Sequence, residues 1–299
     1  MAERTSIALI GPGAIGATVA AWLAQSPDLA LTLCARTPFE RLEIETPGGT
    51  ITAEPEVLTD PAEARPVDWV LVCTKAYDVA GAAAWLEGLL GPETRVAVLQ
   101  NGVEHVARFA PYVPVERIVP AVVDISAERS APGRVLQRMN GNILVPAGAD
   151  GEAFAALFAH TPIDARTTAD FTTALFRKLT VNSAGGVCGI VDKPNGISRD
   201  PAIAELMLKL AEECVAVGRA EGAKLGDDLA AAVVRGYQAA PPESINSLHA
   251  DRMAGRPMEI DARHGVIVRL GEAHGIATPM NRLAVTLLTA SQSARASPS

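Results

Sequence analysis

Two polar side chains in the middle of the chain have a spacing that could support chemistry. In FRKLTVNSAGGVCGI, residues 176–190, Lys178 lies four positions before Asn182, and the surrounding residues are mostly apolar or small. Residues four apart lie on one face of a helix, about one turn from each other. An ammonium and an amide would then project together from a half-buried helix. Because desolvation disfavours a charged amine, a lysine in this setting is suited to donating a proton.

A second candidate site is the glycine-rich stretch IALIGPGAIG near the start of the chain. It contains Gly11-x-Gly13-x-x-Gly16, which follows an apolar strand-like run and opens a helical pattern. In that context the glycines permit a tight turn, close approach to a pyrophosphate and close helix–strand packing, and the helix N-terminus favours the anion. We therefore predict a dinucleotide-binding turn formed by Gly11, Gly13, Ala14, Ile15 and Gly16.

The end of the second predicted strand distinguishes the two nicotinamide dinucleotides. NAD-binding domains place Asp or Glu there to bind the ribose 2′-hydroxyl, whereas this chain has Ala35, Arg36 and Thr37. A guanidinium suits a 2′-phosphate, so we predict NADP(H), although a solvated surface arginine would give the same sequence. Lys75 and Asn101 follow two further predicted strands, at the sheet edge where ligands of open α/β sheets bind. We predict that both contact the cofactor and that Asn101 also contacts the substrate, although loop residues that bind no ligand would give the same sequence.

Alternating strand-like and helix-like segments in the first half predict what positions these residues. The predicted strands are Ser6–Ile10, Leu29–Cys34, Asp68–Thr74, Arg95–Leu99 and Ile118–Ile125, with helices over Ile15–Ala24 and Val79–Leu90. This alternation is typical of βαβ units around a parallel sheet. In addition, TPGGTIT predicts a hairpin, and GRVLQRMNGNILVPAG predicts two strands paired around Asn140–Gly141.

From about Phe171 a helical periodicity replaces the strand-like runs. Helices are predicted over Phe171–Ser183, Pro201–Glu221, Ser244–Met253, Pro257–His274 and Met280–Ser293. We therefore predict an α/β protein in which a Rossmann-like dinucleotide-binding domain, residues 1–169, precedes an all-helical substrate and catalytic domain, residues 170–299. The active site is expected in the cleft between these domains.

Composition narrows the class of protein. A net charge of -8 argues against a nucleic-acid binder, which needs a concentrated basic surface. Since no run of 18 or more apolar residues occurs, no membrane span is predicted. The four cysteines are scattered without metal-ligand spacing, so we predict reduced core cysteines, no metal and a cytoplasmic protein. The sequence leaves monomer and homodimer open.

Taken together, these motifs resemble the ketopantoate reductase (2-dehydropantoate 2-reductase) family over nearly the whole chain. The residues that carry the resemblance are GPGAIG, Arg36, TKAYD, LQNGVE, RKLTVNSAGG and SINSLHADRMAGRPMEIDARHGVIVRLGEAHGIATPMN. The last block is the most specific, because it places Ser247 twelve residues before Glu259 and ends in the AHGIATP segment.

The resemblance implies NADPH-dependent reduction of a 2-oxo acid. Lys178 corresponds to the general acid that protonates the carbonyl oxygen as hydride arrives, and such a proton donor contributes about 10²–10⁴-fold to the rate. Asn101, Asn182 and Ser247 correspond to polar groups around the substrate. Glu259 corresponds to a carboxylate associated with the substrate hydroxyls and with the lysine.

One position departs from the family pattern. Members of the family have a second asparagine four residues after the position of Asn182, and this chain has Gly186 there. Glycine offers no side-chain amide, so one hydrogen bond to the substrate is either missing or supplied by water. The departure argues against ketopantoate as the substrate more than it argues against reduction of a 2-oxo acid.

Other interpretations stay open at this point. Lys178 also fits a solvated helix end, and Glu259 with Arg263 fits a surface ion pair at i,i+4. A β-hydroxyacid dehydrogenase would share the lysine–asparagine pair, but PAVVDISAERSAPG stands where such enzymes have a PVSGG-type loop. A non-catalytic NADP(H)-sensing protein is the remaining alternative, and it would have no use for a desolvated lysine beside a carboxylate.

Overall fold

The structure, a computed structural model, describes residues 4–296, with side chains up to residue 292. The chain divides into two compact units. The first comprises residues 1–100 and 104–171, and the second comprises residues 101–103 and 172–299. A three-residue segment from the first half of the chain therefore belongs to the second unit.

The first unit contains the strands and four of the helices. Its strands are β1 Thr5–Ile10, β2 Leu29–Cys34, β3 Leu42–Thr46, β4 Gly49–Ala53, β5 Glu56–Leu58, β6 Trp69–Val72, β7 Arg95–Val98, β8 Ile118–Pro120, β9 Val122–Asp124, β10 Ala127–Ala131, β11 Arg134–Gln137, β12 Asn142–Pro146 and β13 Asp164–Thr168. Its helices are α1 Ala14–Leu23, α2 Val79–Leu89, α3 His105–Phe109 and α4 Ala149–Ala156.

The central sheet has the strand order β5-β2-β1-β6-β7-β8, and all of its pairings are parallel. Successive side chains of a strand point to opposite faces. Ile7 and Leu9 of β1 accordingly pack into one hydrophobic cluster, while Ala8 and Ile10 pack into another. A parallel sheet with both faces covered confirms the predicted Rossmann-like N-terminal domain.

Two smaller sheets complete the first unit, and they correct one prediction. Their strand orders are β10-β11-β3-β4 and β13-β12-β9. The hairpin predicted at TPGGTIT is confirmed as the antiparallel pair β3–β4. The pairing predicted around Asn140–Gly141 is wrong, because β11 pairs with β10 and β3 whereas β12 pairs with β13 and β9. The alternating pattern specified both strands but not their partners.

The second unit is helical, which confirms the predicted all-helical C-terminal domain. Its helices are α5 Phe171–Ala184, α6 Gly186–Val191, α7 Pro201–Ala220, α8 Leu229–Ala239, α9 Ser247–Met253, α10 Val266–Ala273 and α11 Pro279–Ala296, with a π-helical turn at Asp261–Gly265 before α10. Their apolar faces enclose a core that includes Phe176, Met207, Leu210, Val233 and Ile267. Among the residues that the structure describes, no helix is both long enough and apolar enough to cross a membrane.

Candidate active site

The glycine turn after β1 has the close approaches that a dinucleotide-binding turn requires. Gly11 has a φ of +85°, and a Cβ there would lie 2.8 Å from the side chain of Thr74. A Cβ on Gly16 would lie 2.9 Å from Cβ of Cys73 and closer still to the Gly11 carbonyl oxygen. At Gly13 the nearest atom to such a Cβ is 4.0 Å away. The turn is therefore tightly packed at its ends and open at Gly13, where a pyrophosphate would approach.

Helix α1 begins directly after this turn, and no side chain caps it. Its N-cap residue is Gly13, which makes no side-chain hydrogen bond to the first turn. The N–H groups of Ala14, Ile15 and Gly16 lie in the first turn, where a helix offers no internal acceptor. These amides and the helix dipole favour an anion. The residues present thus suit a dinucleotide pyrophosphate, and their assignment to the cofactor stays a prediction.

Arg36 and Lys75 follow β2 and β6 of the central sheet. The Arg36 side chain is 89% exposed, and its Nη2 lies 3.7 Å from Oδ2 of Asp78. Exposed ion pairs contribute little stability, so this guanidinium can turn to a phosphate at little cost to the fold. Lys75 is half-buried, and its backbone carbonyl accepts a hydrogen bond from Nε2 of Gln100 at 3.2 Å.

Lys178 and Asn182 both lie on α5, one turn apart. Lys178 is half-buried between the exposed Arg177 and the buried Leu179. Asn182 is 9% exposed, and its Nδ2 has no hydrogen-bond partner among the described residues. A buried amide without an acceptor is costly, so the helix face that carries Lys178 presents a polar group suited to a ligand.

Asn101 and Glu259 are distant in the sequence, but a hydrogen bond joins their side chains within the second unit. Nδ2 of Asn101 donates to Oε2 of Glu259 at 2.8 Å, and Glu259 is 3% exposed. Gly102 has a φ of +109°, and a Cβ there would lie 3.3 Å from Ala262, so the segment 101–103 runs close to the π-helical turn. Val103 packs against the core of the same unit. The asparagine amide therefore fixes the orientation of a buried carboxylate.

Ser247 is held at the start of α9 by its neighbour Asn246. Oδ1 of Asn246 accepts a hydrogen bond from the backbone N–H of His249 at 3.1 Å, and its Nδ2 donates to the carbonyl of Gly185 at 2.9 Å. Ser247 is exposed, and its Oγ accepts a hydrogen bond from Nη2 of Arg263 at 2.6 Å. The start of α9 is thus tied both to the segment that follows α5 and to the π-helical turn.

The environment of Arg263 contradicts the interpretation of Glu259 and Arg263 as a surface ion pair. Arg263 is 2% exposed and is the largest fully buried side chain of the described residues. Its guanidinium donates a hydrogen bond to Oγ of Ser247. The i,i+4 expectation fails because Glu259 precedes the helix and the first turn is π-helical, so the spacing of an ideal α-helix does not apply.

His264 lies beside Gly186, the position at which the family resemblance predicts an asparagine. A Cβ on Gly186 would lie 2.5 Å from Cε1 of His264 and closer still to its Nε2. The ring is fully buried, and burial lowers the pKa of His264 to about 4. The imidazole is therefore neutral at pH 7, and it occupies the space in which a side chain at position 186 would begin.

A buried hydrogen-bond network determines which nitrogen of His264 carries the proton. Nδ2 of Asn281 donates to the Leu210 carbonyl at 3.2 Å and to Oε2 of Glu213 at 2.8 Å, so its Oδ1 is an acceptor. That oxygen accepts from Ser183 Oγ at 2.9 Å and from Nδ1 of His264 at 2.9 Å. Since Nδ1 is the donor, Nε2 of His264 carries a lone pair, and it has no partner among the described residues.

Arg263 and His264 are the residues of this region that sequence analysis missed. A signal for them was present: both are polar and directly precede the apolar or small run GVIV, residues 265–268. A pairing rule for α-helices assigned Arg263 to the surface instead. The rule depends on helix type, which the sequence pattern did not specify.

The fold and these residues define the class of dinucleotide-dependent reductases. The first unit has a parallel sheet with an uncapped glycine turn, and the helical unit has a half-buried lysine and a hydrogen-bonded asparagine–glutamate pair. Family comparison gives the particular group within that class. Residues 7–150 match the model of "Ketopantoate reductase PanE/ApbA", and residues 170–292 match that of its C-terminal domain. The chain belongs to the ketopantoate reductase PanE/ApbA family.

Individual relatives are similar over nearly their whole length. The 2-dehydropantoate 2-reductase of Caulobacter vibrioides is 62% identical, with 96% of this chain and 99% of the relative covered. The enzyme of the same name from Mycobacterium tuberculosis is 42% identical, with 96% and 97% covered. The crystal structure of a PanE/ApbA family ketopantoate reductase from Ralstonia eutropha superposes with a TM-score of 0.90 at 31% identity, covering 98% of this chain and 100% of that one.

Proposed function

We propose that the protein catalyses the NADPH-dependent reduction of 2-dehydropantoate to pantoate. The observation that carries the proposal is the 62% identity, over nearly the whole chain, to a 2-dehydropantoate 2-reductase. The site supports it, because the residues that the family resemblance assigns to substrate and catalysis include a bonded Asn101–Glu259 pair and two residues one turn apart on α5.

Bound NADPH would supply the hydride, and the amides of Ala14, Ile15 and Gly16 would hold its pyrophosphate. Hydride addition to the ketone carbon turns the carbonyl oxygen into an alkoxide, which needs a proton. Lys178 donates that proton from its ammonium group and is left as a neutral amine. Lys178 is half-buried on α5, and a proton donor held on a helix can be positioned against the oxygen that receives the proton.

Glu259 and Asn182 position the substrate. The Glu259 carboxylate, held by Asn101 at 2.8 Å, accepts hydrogen bonds from a substrate hydroxyl. The buried Nδ2 of Asn182 donates to the substrate from the lysine face of α5. Because these groups are fixed before the substrate arrives, little ordering is left to occur during the reaction.

Turnover of a panel of 2-oxo acids tests the proposal. The oxidation of NADPH is followed by absorbance with 2-dehydropantoate, with trimethylpyruvate, which lacks the 4-hydroxyl, and with pyruvate. We expect 2-dehydropantoate to give the highest kcat/KM. The absence of NADPH oxidation with every substrate would contradict the reductase, and a preference for trimethylpyruvate would contradict 2-dehydropantoate as the substrate.

Replacing Arg36 with alanine should weaken NADPH binding about 10- to 100-fold and leave NADH binding nearly unchanged, because a charge-assisted bond to the 2′-phosphate is lost. The side chain is 89% exposed, so the fold should tolerate the change. Dissociation constants from the quenching of protein fluorescence by each cofactor measure the effect.

The matched control for Arg36 is Arg41→Ala. Arg41 is also exposed and pairs with Glu43 at 3.0 Å. This variant should bind both cofactors as the unaltered protein does. Equal losses of NADPH and NADH affinity in the Arg36→Ala variant would refute a role in 2′-phosphate recognition.

A further inference from the structure

Arg263 is a buried cation that has no carboxylate partner within the part of the chain that the structure describes. It is 2% exposed, and among the described residues no carboxylate forms an ion pair with its guanidinium. Its Nε is buried and makes no hydrogen bond to any described residue. Burying an unpaired charge is costly, and a fold retains such a group when an anion compensates it.

The hydrogen bond from this guanidinium to Ser247 shows where an anion would meet it. Nη2 of Arg263 donates to Oγ of Ser247 at 2.6 Å, and Ser247 is exposed. The serine oxygen is the acceptor in this bond, so its own O–H remains available to donate. A ligand that reaches the hydroxyl from solvent would therefore find the guanidinium directly behind it.

We infer that Arg263, together with Ser247, binds the carboxylate of the 2-oxo acid substrate. A carboxylate matches the planar fork of a guanidinium and accepts two hydrogen bonds from it. A neutral ligand would leave the buried charge uncompensated. This inference rests on the proposed function and names Arg263 as the residue that makes the site select acids over neutral ketones.

The surrounding contacts hold the two groups in place. Asn246 anchors the start of α9, and with it Ser247, through its bonds to His249 and Gly185. The adjacent His264 is fixed by Asn281. Because both supports are built from buried or partly buried hydrogen bonds, Arg263 and Ser247 are preorganised for a ligand.

Equilibrium binding to the complex with NADP⁺ tests the inference without depending on turnover. Calorimetry would measure the dissociation constants of trimethylpyruvate, which is a 2-oxo acid, and of trimethylpyruvamide, which is its neutral counterpart. Arg263→Met should raise the dissociation constant of the acid about 10²-fold and leave that of the amide within about twofold. Arg263→Lys should raise the dissociation constant of the acid about tenfold, since lysine keeps the positive charge but lacks the planar guanidinium.

The matched control is Arg269→Met on helix α10. Arg269 is exposed and ion-pairs with Asp261, so this variant should bind the acid as the unaltered protein does. Thermal denaturation and NADPH affinity establish that the Arg263 variants are folded; methionine at a buried position is expected to be tolerated.

The outcomes separate the inference from the proposed function. The carboxylate role is overturned if Arg263→Met binds the acid as tightly as the unaltered protein does. It is also overturned if this variant loses equal affinity for the acid and the amide. Neither result depends on the measured turnover. If acid binding depends on Arg263 but no 2-oxo acid is reduced, the carboxylate site stands and the reductase proposal fails. A folded variant with a selective loss of the acid supports the inference.

Discussion

Replacing Lys178 with methionine should lower kcat for 2-dehydropantoate by about 10²- to 10⁴-fold, the range expected for the loss of a positioned proton donor. Methionine keeps most of the side-chain volume on α5 but carries no proton. The affinity for NADPH should stay within about twofold, because the residues assigned to the cofactor phosphates are elsewhere in the sequence. Steady-state kinetics with saturating NADPH, together with cofactor titration, measure both quantities.

The neighbouring arginine provides the matched control for Lys178. Arg177→Met also removes a cation from α5, but Arg177 is exposed, so kcat should be unchanged. An undiminished kcat in the Lys178→Met variant would dispose of the general-acid assignment. A loss of NADPH affinity equal to the loss of turnover would instead indicate a role in binding the cofactor.

Replacing Gly186 with asparagine should destabilise the protein by about 2–3 kcal/mol or more, the cost of overpacking a dense core. The new Cβ would lie 2.5 Å from Cε1 of His264, on a fully buried ring. The result would be notable because asparagine is the residue that the family resemblance predicts at this position. Urea denaturation measures the free energy of unfolding.

A double variant determines whether the steric contact causes the loss. Adding His264→Ala to Gly186→Asn removes the ring, so the double variant should lose less stability than the sum of the two single variants, by about 1–3 kcal/mol. Gly236→Asn is the matched control, because a Cβ on Gly236 meets no atom within 4 Å. Additive losses in the double variant would contradict a clash between residues 186 and 264.

The elements that position the cofactor turn and the lysine helix were predictable, because local periodicity determines them. The apolar runs that became β1, β2 and β6 and the spacing of Lys178 and Asn182 are both short-range patterns. The partners of β11 and β12 were not predictable, since pairing joins segments that are far apart in the sequence. A pattern of alternating residues carries no information about which strand lies alongside.

For the residues that the resemblance assigns to the substrate, the sequence likewise predicted the individual residues but not their contacts. Sequence analysis identified Asn101 and Glu259 separately, but their bond depends on a three-residue excursion of the backbone. It interpreted Gly186 as a missing hydrogen bond, whereas the structure shows the space filled by His264. The two positions are far apart in the chain but adjoin in space, and a single sequence does not reveal such pairs.

The assignment of residues 101–103 to the second unit limits how this protein can be divided or recombined. A fragment cut near residue 170 would inherit Glu259 without the amide that orients it, while the other fragment would carry Asn101 with nothing to bind. Residues 172–299 alone therefore lack one hydrogen bond of the second unit. Gene fusions and chimaeras that exchange only residues 172–299 should carry a compatible Asn101 segment with them.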